Sequence, residues 1–402
     1  MKVTRIDMFP LDVPFTEHVR PHMERALTHG TRLYVYKVYT DTGLTGVGEG
    51  PRDDDKIPRY INKNPYDFLL DDTSLGIQMA LYDVIGKHAG VPVYRLLGQK
   101  IRDYVPIAWW SIDMPPEDWV EEAKTAMQLG YKAYKVKARP WRDIVEQVEA
   151  LSKTVPEDFK LTVDANSYFL NAGKAVPILE KLERYPIVDC FETPIPQGDV
   201  EGYKTIRGKV KRLIAVHFGV PPPITAIRED ICDAFIIGGP AGNVLRQAAV
   251  AAEANKPFWL QMVGSGITAA FVLHLGAALS HAIMPAITCH ELWVDDLITE
   301  RIEVHGGYAQ VPEKPGLGVE FDEATVERYK VVQKKPKPRT VLAVEWRDGR
   351  RHYYRHELDM HKAFSQGSEP GFETGVRMEV IQDDGSEAFN KIYAAVQRGP
   401  LW

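Results

Sequence analysis

The feature that most constrains this 402-residue chain is a recurrence in its middle. From about residue 104, short runs rich in β-branched and aromatic residues alternate with amphipathic stretches of 10 to 16 residues. The runs are YVPIAWWSI, YKAYKVK, FKLTVDA, IVDCFE, LIAVHF, DAFII, PFWLQMV and an apolar stretch ending near Glu291. From the second onward they end near residues 137, 164, 192, 217, 238, 262 and 291, at intervals of 27, 28, 25, 21, 24 and 29. A strand–helix unit repeated seven or eight times at that spacing is the signature of a closed parallel barrel. A doubly wound open sheet is the competing architecture. No GxGxxG or GxxxxGK[ST] follows any of these strands, so its usual phosphate cradles are missing.

The flanks follow other rules. Residues 2–13 and 32–40 read as strands, and Asp41-Thr42-Gly43 as a turn into a further strand at LTGVGEG. Ser74 is placed to cap a helix running through LGIQMALYDVIGKHAG, with Gly90 as its stop. Sheet followed by helix makes an α+β unit distinct from the barrel. After the barrel, Gln333–Arg339 reads as a basic, proline-containing linker. TVLAVEWRDGRRHYYRHE beyond it is a hairpin candidate turning at Asp348-Gly349, and a strand and a short helix are expected in GVRMEVIQDDGSEAFNKIYAAVQ. The last residues therefore form a β-rich appendage, packed on the barrel or on a neighbouring subunit.

Composition excludes several classes. With 45% hydrophobic and 26% charged residues the chain is an ordinary globular one. Forty-nine Lys and Arg against 55 Asp and Glu leave a net charge of −6, so there is no basic footprint for nucleic acid or for an anionic membrane. No apolar run approaches the length of a membrane span or of a signal peptide. Cys190, Cys232 and Cys289 are far apart and show no zinc-type spacing, which fits a reducing, cytoplasmic setting.

Barrel chemistry sits where the strands end. Lys135 and Lys137 share one face of the second strand, since side chains alternate with period two. Two ammonium groups at a barrel mouth either meet carboxylates or act as bases of depressed pKa. Asp164 ends the third strand, Asn166 follows two residues later, and Glu192 ends the fourth. Two carboxylates and an amide oxygen on neighbouring strands suit a hard cation such as Mg²⁺; they equally suit salt bridges to Lys135 or Lys137. Both readings stay open at this level.

KVK at 135–137, VDAN at 163–166 and FETP at 191–194, at these intervals, resemble the mandelate racemase branch of the enolase superfamily. The resemblance extends to IQMALYDVIGKHAGVPVYRLLG (77–98), GLTGVGEG (43–50) and PGLGVEFDE (315–323), and covers residue 2 to about 330. It implies an α/β architecture: a TIM-type (β/α)7β barrel over residues 104–299, an N-terminal α+β capping domain over 1–103 to which about 300–330 return, and a C-terminal extension over 335–402. It also implies a small-molecule carboxylate substrate, loss of the proton α to that carboxylate, a Mg²⁺ ion that stabilises the enolate, and a homo-oligomer. Asp164 and Glu192 carry over as metal ligands, Lys137 as the base with Lys135 beside it, and Glu291 as the acid near the enolate oxygen.

Departures from the family pattern shape the expected reaction. The fifth strand should end in a metal-binding carboxylate and here ends in His217, which is either a ligand better suited to zinc, nickel or iron or a hydrogen-bonded core histidine. Gln261 stands where a racemase would carry His, and Gly238 where its partner Asp would be, so a two-base racemisation is disfavoured. One-sided chemistry remains, most simply dehydration of a sugar acid. The alternatives are a racemase, epimerase or cycloisomerase of the same superfamily, or an altered member that binds a small anion without turnover. Segment 16–30, with His18, Arg20 and His22, resembles the loop that closes over the substrate, and Trp293 is a candidate for lining the pocket.

Overall fold

In the computed structural model, residues 1–331 and 338–402 are described; Gln333–Lys337 of the basic linker lie outside them. The chain opens with an antiparallel sheet in the order β1 (Val3–Asp12), β2 (Arg32–Thr40), β3 (Thr45–Gly50). Helix α1 (Leu75–Ala89) lies across it, capped by Ser74 Oγ, which accepts the Ile77 N–H, and ended by Gly90 in the left-handed conformation. The contact is close because Gly46 and Gly48 face the helix backbone: a Cβ on Gly48 would stand 2.2 Å from the Gly76 carbonyl oxygen.

Seven parallel strands then curl around a common core: β4 (Trp109–Ser111), β5 (Ala133–Lys137), β6 (Lys160–Asp164), β7 (Val188–Glu192), β8 (Leu213–His217), β9 (Ala234–Ile237) and β10 (Phe258–Leu260). Each pairs with its neighbour in sequence, as right-handed βαβ crossovers require. Closure comes from two residues: Ala286 bridges Ile107 and Ile287 bridges Gln261, both parallel, so a minimal eighth strand joins the last to the first. The connecting helices show the expected amphipathy. In α2 (Pro116–Gln128), Trp119, Ala123 and Ala126 are buried against the strands.

The capping sheet is tied to the barrel by one carboxylate. Glu49, fully buried, accepts hydrogen bonds from the Ser265 N–H and hydroxyl and from the Thr268 hydroxyl, at the start of the helix Gly266–Ala278. Residues beyond 300 return to this domain, where Val331 N–H donates to the Pro10 carbonyl and Lys37 pairs with Glu323 at 2.5 Å.

The C-terminal extension is mixed rather than β-rich, which corrects the expectation from sequence. Three antiparallel strands, Thr340–Glu345, Arg351–Tyr354 and Arg377–Gln382, carry two helices, Glu357–Ser365 and Glu387–Val396. The first of these helices buries Met360, Ala363 and Phe364, an i, i+3, i+4 face. That face packs on Trp141 of the barrel, so the extension shares a core with it. The three cysteines are free and buried. Among the described residues, no helix is long and apolar enough to cross a membrane.

Candidate active site

The C-terminal ends of β5, β6 and β7 bring the expected residues together. Register pairs Lys137 with Asp164 and Asp164 with Glu192 across adjacent strands. The turns that follow are strained: Asn166, Ser167 and Thr193 all have positive φ (43°, 71° and 45°), and so does Cys289 (55°) beyond the eighth strand. Non-glycine residues held there cost on the order of 1–3 kcal/mol each and cluster at functional sites.

Lys135 is the centre of the arrangement. Its ammonium, 1% exposed, lies 2.5 Å from Glu192 Oε2 and 3.3 Å from Asp164 Oδ2, and donates to Gln261 Oε1 at 2.7 Å. The Trp259 ring stands 5.7 Å from it. Burial alone would discharge this lysine, but Glu192 and Asp164 outweigh it and hold the pKa above its ordinary value. Lys137 reaches the mouth. It donates to Asp164 Oδ2 at 2.5 Å and to Asn166 Oδ1 at 3.1 Å, and Asn166 itself is exposed. Burial, opposed by Asp164 and reinforced by the charge on Lys135, pulls its pKa down. Adjacent lysines are thus pushed in opposite directions, one held as a cation and one inclined to give up its proton. Asp164, despite its burial, is held well below the usual carboxylate range by Lys137 and Lys135.

These donors do not fit the Mg²⁺ ion that the resemblance implies. The ammonium of Lys135 occupies the space between the two carboxylates. Asn166 Oδ1 already accepts from Lys137 and from Arg139 Nη2, each at 3.1 Å. The third position is His217, whose Nε2 lies 3.3 Å from Glu192 Oε1, a borderline donor better suited to zinc, nickel or iron than to a hard ion. A divalent cation would enter a cluster where two carboxylates are already balanced by two lysines. Among the described residues no group of three or more His, Cys, Asp or Glu is arranged to hold a metal. Asp164, Glu192, Asn166 and His217, the residues expected as metal ligands, stand here in a lysine–carboxylate network.

Other expected residues fall elsewhere. Glu291 is buried, and its Oε1 lies 3.6 Å from His290 Nδ1. Segment 16–30 does lie against the barrel, but His18, Arg20 and His22 are engaged in holding it. His18 Nδ1 lies 2.7 Å from Glu122 Oε1, His22 Nε2 lies 2.9 Å from Asp118 Oδ2, and Arg20 donates to the Phe15 carbonyl at 3.2 Å. Two imidazoles pairing with acids on α2 anchor this segment to the barrel. His29 is the residue of this segment that reaches the site. It packs edge-on to Trp110 at 5.1 Å, and burial and the two lysines lower its pKa to about 3. With Trp293 it lines a 310 Å³ cavity between the two domains. Trp293 also donates to the Gly30 carbonyl at 3.1 Å, fixing the loop that carries His29.

Two further charged groups adjoin the site. Arg139 continues the Lys135, Lys137 alternation by one more step, is 4% exposed, and shares Asn166 with Lys137. Arg25 and Arg142 converge on Asp113, just after β4. Arg25 Nη2 lies 2.8 Å and Arg142 Nε 3.3 Å from its Oδ2, which also accepts the Trp141 indole N–H at 2.9 Å.

Comparison with known proteins agrees with this geometry. Residues 118–220 and 231–325 match the model of the family described as enolase C-terminal domain-like. The chain is 24% identical over 376 residues to the N-succinyl-L-Arg/Lys racemase of Bacillus cereus, covering 83% of this chain and 99% of that one. It is 27% identical to the D-xylonate dehydratase of Haloferax volcanii, covering 73% and 84% of the respective chains. Its fold superposes with a TM-score of 0.69 and 25% identity on a mandelate racemase/muconate lactonizing family protein from Azoarcus, covering 83% and 98%. A capping domain over a closed parallel barrel is the architecture shared with these structures. The chain belongs to the enolase superfamily, in its mandelate racemase and muconate lactonizing branch.

Proposed function

We propose that this chain removes the proton α to the carboxylate of a small polyhydroxylated acid and expels the β-hydroxyl, a hydro-lyase reaction with Lys137 as the base. The observation that carries this reading is the split lysine pair: Lys135 clamped between Glu192 and Asp164, Lys137 at the mouth with a lowered pKa. Environments that push two like groups apart are how acid and base roles are assigned within one site. Members of the superfamily generally bind Mg²⁺. In this chain the fixed positive charge that an enolate requires is supplied by Lys135, in a buried setting where such charge acts strongly.

The step balances without another reactant. Lys137 Nζ takes the Cα proton, and the C–H electron pair becomes the Cα–Cβ double bond of an enol. The β-hydroxyl leaves as water, taking a proton from His217, which is 41% exposed at the mouth beside Glu192. The enol tautomerises to a 2-keto acid. Gln261, committed to Lys135 and carrying no basic nitrogen, leaves the opposite face without a second base, which disfavours a racemase outcome. The likeness to a D-xylonate dehydratase supports the dehydration; the likeness to a racemase supports the α-proton step that both reactions share.

A panel of aldonic acids incubated in D₂O and followed by NMR tests the reading. The expected result is a 2-keto-3-deoxy product from at least one acid, lost in Lys137→Ala. Binding of an acid with no exchange and no product would mean that the site holds an anion without turning it over.

A further inference from the structure

The C-terminal extension touches the catalytic mouth directly. Its helix Glu357–Ser365 and the loop around Phe372 lie on the segments that follow β5 and β6 and on the 16–30 segment. Glu357 Oε2 accepts the Leu27 N–H at 3.0 Å and stands 3.8 Å from Arg25 Nη1, while Glu357 Oε1 lies 3.3 Å from His361 Nε2. His361 packs on Trp141 and Tyr168, and Tyr168 carries the Arg139 guanidinium on its ring at 5.5 Å. The Phe372 ring lies tilted against Phe169 at 4.5 Å, and the Phe372 N–H donates to the Pro140 carbonyl.

Hydrogen bonding in this layer does not close. Arg25 and Arg142 share Asp113, and Arg25 also faces Glu357. Burial pushes Glu357 up to about 7, which weakens its pairing with Arg25 near neutrality. Arg25 Nε and Nη1 and Arg139 Nε are buried donors with no acceptor among the described residues. Buried donors are ordinarily satisfied, and leaving a charged one unmade is expensive. The arginine layer also adjoins the base: Lys137 Nζ and Arg139 Nη2 donate to the same Asn166 oxygen at 3.1 Å each, so they lie within about 6 Å of each other.

We propose that Arg139, held by the C-terminal extension and supported by Arg25, receives a second acidic group of the substrate, making the preferred ligand a short polyhydroxylated di-acid rather than a mono-acid. This rests on the reading of the site as one for small carboxylates and narrows it to a class. Guanidinium groups suit the task because their fixed fork matches a carboxylate. Arg139 is then a specificity residue, and Glu357 a positioning residue that acts through Arg25.

Calorimetric titration of the full chain with D-gluconate and D-glucarate, which differ in the oxidation of one end, tests this. The wild type should bind glucarate at least tenfold more tightly than gluconate. Arg139→Met should bring the two within about twofold, with most of the loss falling on glucarate, and Arg139→Lys should retain part of the preference. Glu357→Gln should lower the preference without abolishing gluconate binding. Equal affinity of the wild type for both acids, or an intact preference in folded Arg139→Met and Arg139→Lys, would overturn the inference and leave the proposed activity standing. Failure of both acids to bind would overturn both.

Discussion

Replacing Lys135 by Met removes the one group that lies between two buried carboxylates. The lost contacts are at 2.5 Å to Glu192 and 3.3 Å to Asp164, and both acids are fully buried. Breaking a buried pair by deleting one partner costs about 3–5 kcal/mol, because the remaining charge is left uncompensated. In a unit the size of this barrel that corresponds to a fall in Tm on the order of 10 °C. The two carboxylates then face each other with only Lys137 and His217 nearby, so one of them is expected to hold a proton at neutral pH. Its pKa is raised in the folded variant, so this one group's contribution to stability is greatest at low pH and declines as pH rises toward that pKa. A divalent cation should now enter where the ammonium was. The assay is thermal unfolding of wild type and Lys135→Met across a series of Mg²⁺ and Mn²⁺ concentrations. The variant should start lower and recover with metal in a saturable way, while the wild type should show little change. A wild type stabilised by metal as strongly as the variant would refute the argument that the lysine occupies the metal position.

Two other perturbations follow from the same contacts. Trp141→Ala removes a fully buried ring that packs on Tyr168, His361 and Phe364 and donates to Asp113. It should cost about 3–5 kcal/mol and open the extension to limited proteolysis before the barrel; a loss below about 1 kcal/mol by urea unfolding would contradict the shared core. Acid should also destabilise the fold. Burial lowers the pKa of His22, His274 and His361 to about 4 and of His29 to about 3, so each is neutral when folded and takes up a proton on unfolding. Their contribution is complete above pH about 6.5, the ordinary histidine value, and is lost as pH falls toward 4. Glu357, raised to about 7, opposes this with one proton. Glu49 and Asp83, also raised by burial, oppose it further. Net uptake on unfolding should therefore stay positive but below three protons near pH 5; a urea midpoint that stays flat from pH 6.5 to 5 would contradict it.

Much of this arrangement could be read from the chain before its structure. Strand ends expected at 137, 164, 192 and 217 are the observed ones, because alternation of apolar and polar residues with period two marks where a strand leaves the core. Lys135, Lys137, Asp164 and Glu192 meet because adjacent parallel strands in register must bring them together. Sequence could not decide whether those carboxylates would hold a metal or an ammonium, since that depends on the rotamer of one lysine. Nor could it separate His18 and His22, turned toward acids of α2, from His29, turned toward the lysines; all three lie in one short irregular segment without a period to orient them. The helix Glu357–Ser365 does not stand out in the sequence although Met360, Ala363 and Phe364 carry a helical spacing, because its two turns are shorter than the window in which that signal emerges. The meeting of Arg25, Arg139 and Glu357 is a tertiary fact, joining three regions far apart in the chain.

The central claim is that the cation acting on the substrate here is Lys135. The most direct test is α-proton exchange of an accepted acid in D₂O by protein stripped of metal and assayed in chelator, then titrated with Mg²⁺. Exchange at full rate in chelator, unchanged by added Mg²⁺ and abolished in Lys137→Ala, is the expected result. Exchange that appears only on adding the metal, and saturates with it, would contradict the claim.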